Sequence, residues 1–145
     1  MKLSPRLAEV VAALPIDPSC RVLEVGCGPG AAARAVAERL TTGHILAIDR
    51  SARAIQQLRA ASASQLASGR LGARQVAIED FILAPDEEPF DLVFAIRLGA
   101  LDGRHPAAGL TAMQRIAAAT SHHARLFIDG GHPLLELPIR RSPAA

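Results

Sequence analysis

One stretch of the chain, residues 21–30 (RVLEVGCGPG), constrains the fold more than any other. It begins with branched apolar residues, as a strand buried inside a parallel sheet requires, and runs directly into a turn with three glycines. Apolar residues then recur at helical spacing, at Ala33, Val36, Ala37 and Leu40. A strand, a glycine turn and a helix in this order predict a ligand site at the carboxyl end of the strand.

The glycine turn suits a ligand with an anionic group. Glycine has no Cβ, so the turn can approach a ligand closely, and the helix that follows offers free N–H groups to a carboxylate or phosphate.

Two cofactor classes use such a turn. Gly26, Gly28 and Ala31 fit the dinucleotide pattern G-x-G-x-x-A, which is a weak signal by itself. An acidic-x-G-x-G-x-G pattern is matched in full by Glu24, Gly26, Gly28 and Gly30.

The segment VLEVGCGPG resembles motif I of the class I S-adenosylmethionine-dependent methyltransferases. The resemblance extends over residues 21–131 and implies a cofactor, S-adenosyl-L-methionine, that is converted to S-adenosyl-L-homocysteine. It also implies methyl transfer to an oxygen or nitrogen atom of a small-molecule acceptor. Two alternatives stay open: a module that binds the cofactor without catalysis, and a dinucleotide-binding oxidoreductase.

Strands and helices alternate along the chain, which predicts an α/β fold with a parallel sheet and helices on both faces. With the resemblance, the expected fold is a Rossmann-like, doubly wound, mainly parallel sheet in the order 3-2-1-4-5. The later strands are predicted at residues 44–48, 73–78, 90–96 and 125–128, with only a short turn between strands three and four. Helices are expected after Ser4-Pro5, from Ser51 to Ser68-Gly69, and around Leu110, Met113, Ile116 and Ala117.

The N-terminal helix either packs beside the cofactor site or covers one face of the sheet. The C-terminal part is short for the resembled family, which usually adds a helix and two strands after strand five. Only 16 residues follow Asp129 (145 − 129), so most of the C-terminal antiparallel hairpin is expected to be lacking. We expect a single domain over residues 1–145, with an N-terminal helix region at 1–18 and a short tail at 132–145. Strand five would then lie at an open edge, and residues 134–139 could pair with it or with a second subunit, which predicts a homodimer.

Composition narrows the classes of partner. The net charge is +2 and the basic residues are scattered, whereas nucleic-acid-binding proteins usually cluster them on one face. Trp and Tyr are absent and only four Phe occur, which disfavours a base-stacking platform. The chain shows no membrane-span pattern, no signal-peptide pattern and no cysteine pattern for zinc. We therefore expect a cytoplasmic protein with a small-molecule substrate and no metal, nucleic-acid or membrane partner.

Acidic residues mark the ends of several predicted strands. Asp49 ends strand two, 23 residues after Gly26 (49 − 26), where a carboxylate can accept hydrogen bonds from both ribose hydroxyls of an adenosine. By the resemblance, Asp80 accepts from the adenine amino group, the Phe81 N–H faces a ring nitrogen, and Glu24 positions the methionine end. The residues expected to bind the cofactor are Glu24, Gly26, Cys27, Gly28, Gly30, Asp49, Arg50, Glu79, Asp80, Phe81, Ala95 and Ile96.

Methyl transfer from a sulfonium is a one-step displacement, so orientation supplies much of the acceleration. A base is needed only if the acceptor must lose a proton. The candidates lie in loops expected at the carboxyl ends of strands. We select His105, because histidine titrates near neutral pH, and Arg97, which would lie near the sulfonium. Asp102, Arg104 and His132 are further candidates for the base.

Overall fold

The computed structural model describes residues 3–98, 101 and 105–141, and it places a twisted sheet between two layers of helices. The strands are β1 (Arg21–Val25), β2 (His44–Asp49), β3 (Leu71–Gln75), β4 (Phe90–Ala95), β5 (Thr120–Asp129) and β6 (Leu134–Leu137). The helices are α1 (Pro5–Ala13), α2 (Ala31–Glu38), α3 (Ala52–Ala61), α4 (Ala63–Ala67) and α5 (Pro106–Ala118), with a 3₁₀ turn at Ile78–Asp80.

The sheet has the order β3-β2-β1-β4-β5-β6. Strands β1 to β5 are parallel, which confirms the predicted order, and β6 runs antiparallel to β5. Of the two partners expected for residues 134–139, the structure shows strand five of the same chain, with pairs from Leu126↔Leu137 to Asp129↔Leu134, so β5 does not lie at the edge of the sheet. One antiparallel strand of the C-terminal hairpin is therefore present.

The apolar core lies on both faces of the sheet. Successive residues of a strand point to opposite faces, so Val22 of β1 packs in the layer with α1 to α4, while Leu23 packs in the layer with α5. Both side chains are fully buried. This is why β1 has no alternating polar residues and reads as a continuous apolar run broken only by Glu24.

Helix α1 begins and ends where the sequence predicts. The Ser4 Oγ accepts a hydrogen bond from the Leu7 N–H at 3.2 Å, and Pro5 occupies the first helical position. Arg39 donates from its guanidinium to the carbonyl oxygens of Val11 (2.6 Å) and Leu14 (3.1 Å). Because those carbonyls belong to the last turn of α1, Arg39 fastens that end of α1 to the body of the protein.

Several predicted elements differ in detail from the structure, and β5 differs most, since it begins at Thr120 rather than at 125. Strand β3 ends at Gln75 rather than 78, because the chain turns into the 3₁₀ segment. The helix after Ser51 is divided at Ser62, whose buried hydroxyl accepts a hydrogen bond from Arg34 at 3.0 Å. Leu110 does not join the core: it is 65% exposed, and Ala112 and Ile116 form the buried stripe of α5 instead. Within the described ranges, no helix has the length and apolar content needed to cross a bilayer.

Candidate functional site at the carboxyl end of the sheet

Two cavities lie at the carboxyl ends of the parallel strands. The first has a volume of about 390 Å³ and lies between the glycine turn and α1. The second has a volume of about 590 Å³ and lies between the end of β2 and the segment that follows β3. Gly26, Ile96 and Arg97 line both. The cavities therefore adjoin at these three residues, in front of the ends of β1 and β4.

The glycines of the turn have different surroundings. Gly28 lines the first cavity with a φ of +53°, and no heavy atom lies within 4 Å of the position that a Cβ would occupy. Gly30 has a φ of +90°, and a Cβ there would lie 2.6 Å from Cγ of Leu58. Gly28 thus borders open space, whereas Gly30 allows the start of α2 to pack on α3. The structure does not bring Gly30 to either cavity, contrary to the expectation for a cofactor-binding residue.

Asp49 joins two of the loops that form the site. Its Oδ2 accepts a hydrogen bond from the Gly28 N–H and its Oδ1 from the Ser51 N–H, both at 2.9 Å. Asp49 and Arg50 line the second cavity. Each carboxylate oxygen has a second lone pair, so Asp49 can hold the glycine turn and still accept from a ligand hydroxyl.

Glu24 is the buried acid of the site. Its side chain lines the first cavity, the residue is only 3% exposed, and Oε1 has no hydrogen-bond partner in the part of the chain that the structure describes. Burial, and after it the charge of Asp49, raises the pKa of Glu24 to about 8, while Arg34 acts in the opposite direction. A buried carboxyl group without a donor is costly. The site therefore contains a buried acid whose Oε1 finds no donor among the described residues, and Nη2 of the neighbouring Arg34 is likewise buried without a partner.

Cys27 lies in the same turn and also lines the first cavity. Burial, followed by the charges of Glu24 and Asp49, raises the pKa of its thiol far above the usual range. The Sγ–H donates to the Gly28 carbonyl oxygen at 3.4 Å. Cys27 is therefore held as a neutral thiol that shapes the cavity wall, and it is not an activated nucleophile.

The segment after β3 reaches the site, but not with Asp80 and Phe81. Val76, Ala77, Ile78 and Glu79 line the second cavity. Asp80 is exposed and is not among the residues that line either cavity. The 3₁₀ turn accounts for this, since it directs the Phe81 N–H to the Ile78 carbonyl oxygen at 3.1 Å and buries the Phe81 ring in the core. Asp80 and Phe81 thus do not line the two cavities, and their roles toward the adenine ring stay predictions.

Of the two residues expected at the end of β4, one lines the cavities and the other does not. Ile96 lines both cavities, but Ala95 is fully buried in the sheet and lines neither. Arg97 follows with a left-handed φ of +58°, an uncommon conformation for a residue other than glycine. Its N–H donates to Oδ1 of Asp129 at 2.9 Å. The end of β5 thus holds Arg97 at the junction of the cavities.

The candidates for a base are dispersed. His105 precedes α5, is exposed and lines the second cavity, not the first. His132 is exposed and lines neither cavity. Asp102 and Arg104 lie outside the described residues. Residues 3–98, 101 and 105–141 contain no cluster of three or more His, Cys, Asp or Glu side chains that could hold a metal ion.

Helix α1 contributes a wall that sequence reasoning did not specify. Ser4, Arg6, Leu7 and Val10 line the first cavity, while Val11 and Leu14 of the same region belong to the core. The helix thus borders the first cavity and covers one face of the sheet at once. The exposed Arg6 guanidinium lies 3.3 Å from Oδ2 of Asp129. The apolar spacing in the sequence predicted the helix, but it carried no signal for which residues would face a cavity.

The comparisons with known proteins agree with this geometry. A family model described as a methyltransferase domain matches residues 22–120. The chain belongs to this methyltransferase family. S-adenosylmethionine is the cofactor of the family. A search among curated proteins found no match.

Solved structures show the same fold in longer chains. A coclaurine N-methyltransferase bound to N-methylheliamine and SAH is 20% identical with a TM-score of 0.65, over 84% of this chain and 34% of the other. A putative S-adenosylmethionine-dependent methyltransferase from Listeria monocytogenes is 21% identical with a TM-score of 0.67, over 85% and 53%. The [4+2]-cyclase SpnF is 25% identical with a TM-score of 0.68, over 85% and 43%. The chain therefore spans between one third and about half of the length of these structures.

Proposed function

We propose that the chain binds S-adenosyl-L-methionine across the two adjoining cavities and transfers its methyl group to an oxygen or nitrogen atom of a small molecule. The observation that carries the proposal is the pair of acids on either side of the junction. Glu24 lines the first cavity and Asp49 the second, and both belong to neighbouring strands. A ligand with a ribose at one end and an ammonium group at the other matches this arrangement.

The residues present fit such a cofactor. The space beside Gly28 gives a ligand an open path over the turn, and Glu24 brings a carboxyl group to the first cavity for the methionine ammonium group. Asp49 accepts from the ribose hydroxyls. The segment with Ile78 and Glu79 borders the space for the adenine ring.

The cofactor supplies a methyl group already activated on a sulfonium, so the chain mainly has to orient the reactants and keep water out. Leu7 and Val10 of α1 give the first cavity an apolar wall. Ile96 and Arg97 lie at the junction, where they can hold the acceptor against the methyl group. His105 is the proposed base for an acceptor that must lose a proton, which requires the acceptor to extend toward the second cavity.

Isothermal titration calorimetry with S-adenosyl-L-homocysteine tests the proposal, because this ligand binds without turnover. We expect binding, and we expect Asp49→Ala to weaken it by roughly 1.5–3 kcal/mol, since a hydroxyl bond to a charged group is lost. Asp86→Ala is the matched control, because Asp86 is exposed and lines neither cavity. Unchanged affinity in Asp49→Ala would refute the ribose assignment. Absence of binding, or binding of NADH instead, would refute the cofactor.

A second candidate is a chain that binds the cofactor without transferring its methyl group. One similar structure is a [4+2]-cyclase, so the fold is not restricted to methyltransferases. Formation of S-adenosyl-L-homocysteine from the methyl donor, measured with a panel of hydroxyl and amine acceptors, separates the two candidates. The family match itself favours both over a dinucleotide-binding oxidoreductase.

We further infer that the protein has no nucleic-acid partner, since the basic residues are scattered and aromatic residues are few. We also infer a cytoplasmic location. The proposed homodimer now involves β6, because that strand and not β5 forms the edge of the sheet. Leu135 on β6 is 46% exposed, which leaves an apolar side chain at this edge.

A further inference from the structure

Two arginines that line the first cavity are held by the same carboxylate. Asp129, at the end of β5, accepts a hydrogen bond from the Arg97 N–H through Oδ1 at 2.9 Å. Its Oδ2 lies 3.3 Å from the guanidinium of Arg6, which belongs to α1. Asp129 therefore brings Arg6 and Arg97 to one side of the cavity, although the two residues are far apart in the sequence.

This side of the cavity carries an excess of positive charge. The two guanidinium charges of Arg6 and Arg97 and the one carboxylate charge of Asp129 leave one positive charge. Of the described residues that line the cavity, Glu24 is the only acid, and the proposed function pairs it with the ammonium group of the ligand. A concave site with an excess of one sign of charge attracts the opposite sign. The Asp129 side of the first cavity therefore suits an anionic group.

The position of Arg97 shows which molecule can bring that anionic group. Arg97 lines both cavities, whereas Glu24 lines only the first. In the proposed complex, the ammonium and carboxylate groups of the methionine end are bonded to one carbon atom, so both lie toward Glu24. The sulfonium lies several bonds away, nearer to the junction of the cavities. Arg97 is thus placed beside the methyl group, where it meets the acceptor and not the carboxylate of the cofactor.

The remaining wall of the first cavity indicates the body of the acceptor. Leu7 and Val10 of α1 and Ile96 after β4 contribute apolar side chains. Binding sites for small molecules combine such a wall with a few polar groups that fix the orientation of the ligand. Here the polar group at the junction is a cation. The acceptor that matches this wall is therefore a small acid with an apolar body.

We propose that the methyl acceptor is the carboxylate of such an acid, and that Arg97 pairs with one carboxylate oxygen while the other oxygen faces the methyl group. The inference rests on the proposed function and names its substrate class. The second oxygen forms a bond to the methyl carbon, the bond from that carbon to the sulfur breaks, and its electron pair stays on the sulfur. The products are a neutral methyl ester and S-adenosyl-L-homocysteine. A carboxylate is already ionised at neutral pH, so no proton is transferred and no base is needed.

The first experiment measures binding to the chain saturated with S-adenosyl-L-homocysteine, in which no transfer can occur. Calorimetric titration compares hexanoate and benzoate with hexanamide and benzamide, which keep the shape and lack the charge. We expect each acid to bind at least about tenfold more tightly than its amide. Arg97→Gln, which keeps the backbone N–H that Asp129 accepts, should remove this difference. Arg97→Lys, which keeps the charge, should retain part of it.

Arg53→Gln is the matched control, because Arg53 is exposed on α3 and lines neither cavity. It should leave the preference for acids unchanged. The affinity of Arg97→Gln for S-adenosyl-L-homocysteine alone should stay close to that of the unaltered chain. A loss of that affinity, with the preference for acids retained, would assign the Arg97 guanidinium to the cofactor and overturn the inference.

The second experiment follows the methyl group itself. The chain is incubated with S-adenosyl-L-methionine labelled in the methyl group and with each acid or amide. We expect labelled product from the acids only. Because a methyl ester is cleaved by alkali, the label should be released as methanol, whereas methyl ethers and methylamines would keep it.

The possible outcomes separate the two proposals. If the chain with bound S-adenosyl-L-homocysteine prefers neither acid to its amide, the inference is overturned and the proposed function stays intact. Acids that bind but yield no alkali-labile product would also overturn it, since the carboxylate would then not be the acceptor. Failure of S-adenosyl-L-homocysteine to bind would refute the proposed function, and this inference with it.

Discussion

Gly28 and Gly30 are two residues apart in one motif, but the structure predicts opposite consequences for the same substitution. In Gly28→Ala the new Cβ meets no atom within 4 Å, so the fold should lose only the cost of a left-handed alanine, about 1–2 kcal/mol. The methyl group would extend into the space that the ligand needs. We expect a melting temperature lower by roughly 3–8 °C at this chain length, and a loss of affinity for S-adenosyl-L-homocysteine of at least about tenfold.

In Gly30→Ala the left-handed strain is joined by a collision. The Cβ would lie 2.6 Å from Cγ and 2.8 Å from Cδ1 of Leu58, which is fully buried and cannot move aside. Overpacking of this kind adds about 1–3 kcal/mol, so the total loss is about 2–5 kcal/mol. At this chain length that corresponds to a melting temperature lower by roughly 6–20 °C.

Thermal unfolding followed by circular dichroism and calorimetric titration, run on both variants, give the comparison. Gly28→Ala should lose binding with the smaller loss of stability, and Gly30→Ala should show the larger loss of stability. Gly30→Ala should lower the melting temperature less when it is introduced into the Leu58→Ala variant than when it is introduced into the unaltered chain. The reason is that Leu58→Ala removes the side chain with which the new Cβ collides. The reasoning would be refuted if Gly28→Ala bound the ligand as well as the unaltered chain, or if Gly30→Ala melted at the same temperature.

Two further predictions concern the edges of the site. If His105 is the base, His105→Ala should lower turnover by a factor on the order of 10² with little change in ligand affinity; a loss of affinity alone would assign His105 to the adenosine side of the second cavity. Light scattering at micromolar concentration should give a dimer that deletion of residues 134–145 converts to a monomer, whereas a monomeric mass for the intact chain would contradict the dimer.

The region from β1 to β2 was predictable because its determinants are local. Two buried strands, a glycine turn and the end of a strand at Asp49 are each specified by residues within a few positions. The same is true of the cap at Ser51, whose Oγ accepts from the Ala54 N–H at 3.1 Å as expected. Parallel pairing then brings the carboxyl ends of β1 and β2 together without further information from the sequence.

The end of β3 was predicted incorrectly, because the predicted and the observed ends of this strand lie only a few residues apart. The sequence suggested a strand through Ile78, and the family resemblance placed the expected ligand contacts at Asp80 and Phe81. In the structure the strand ends at Gln75, and the Val76 N–H donates to the Asp49 carbonyl oxygen at 3.0 Å. The chain thus turns earlier, and residues up to Glu79 face the cavity. Ile78 is apolar because it is buried under the turn, not because it continues the strand.

Glu24 shows that a sequence motif can identify a site residue without predicting its surroundings. The acidic-x-G-x-G-x-G pattern identified the residue, but not that its oxygen would lack a donor, because that depends on Ala47 and Phe94 beside it and on the distant partners of Arg34. Those neighbours come from β2, β4 and the break between α3 and α4, so no local signal encodes them. An acid that could be satisfied within the fold would need no ligand. The tertiary packing that leaves Oε1 without a donor among the described residues, although the Arg34 guanidinium lies near it, is therefore what makes Glu24 a candidate for recognising a cation.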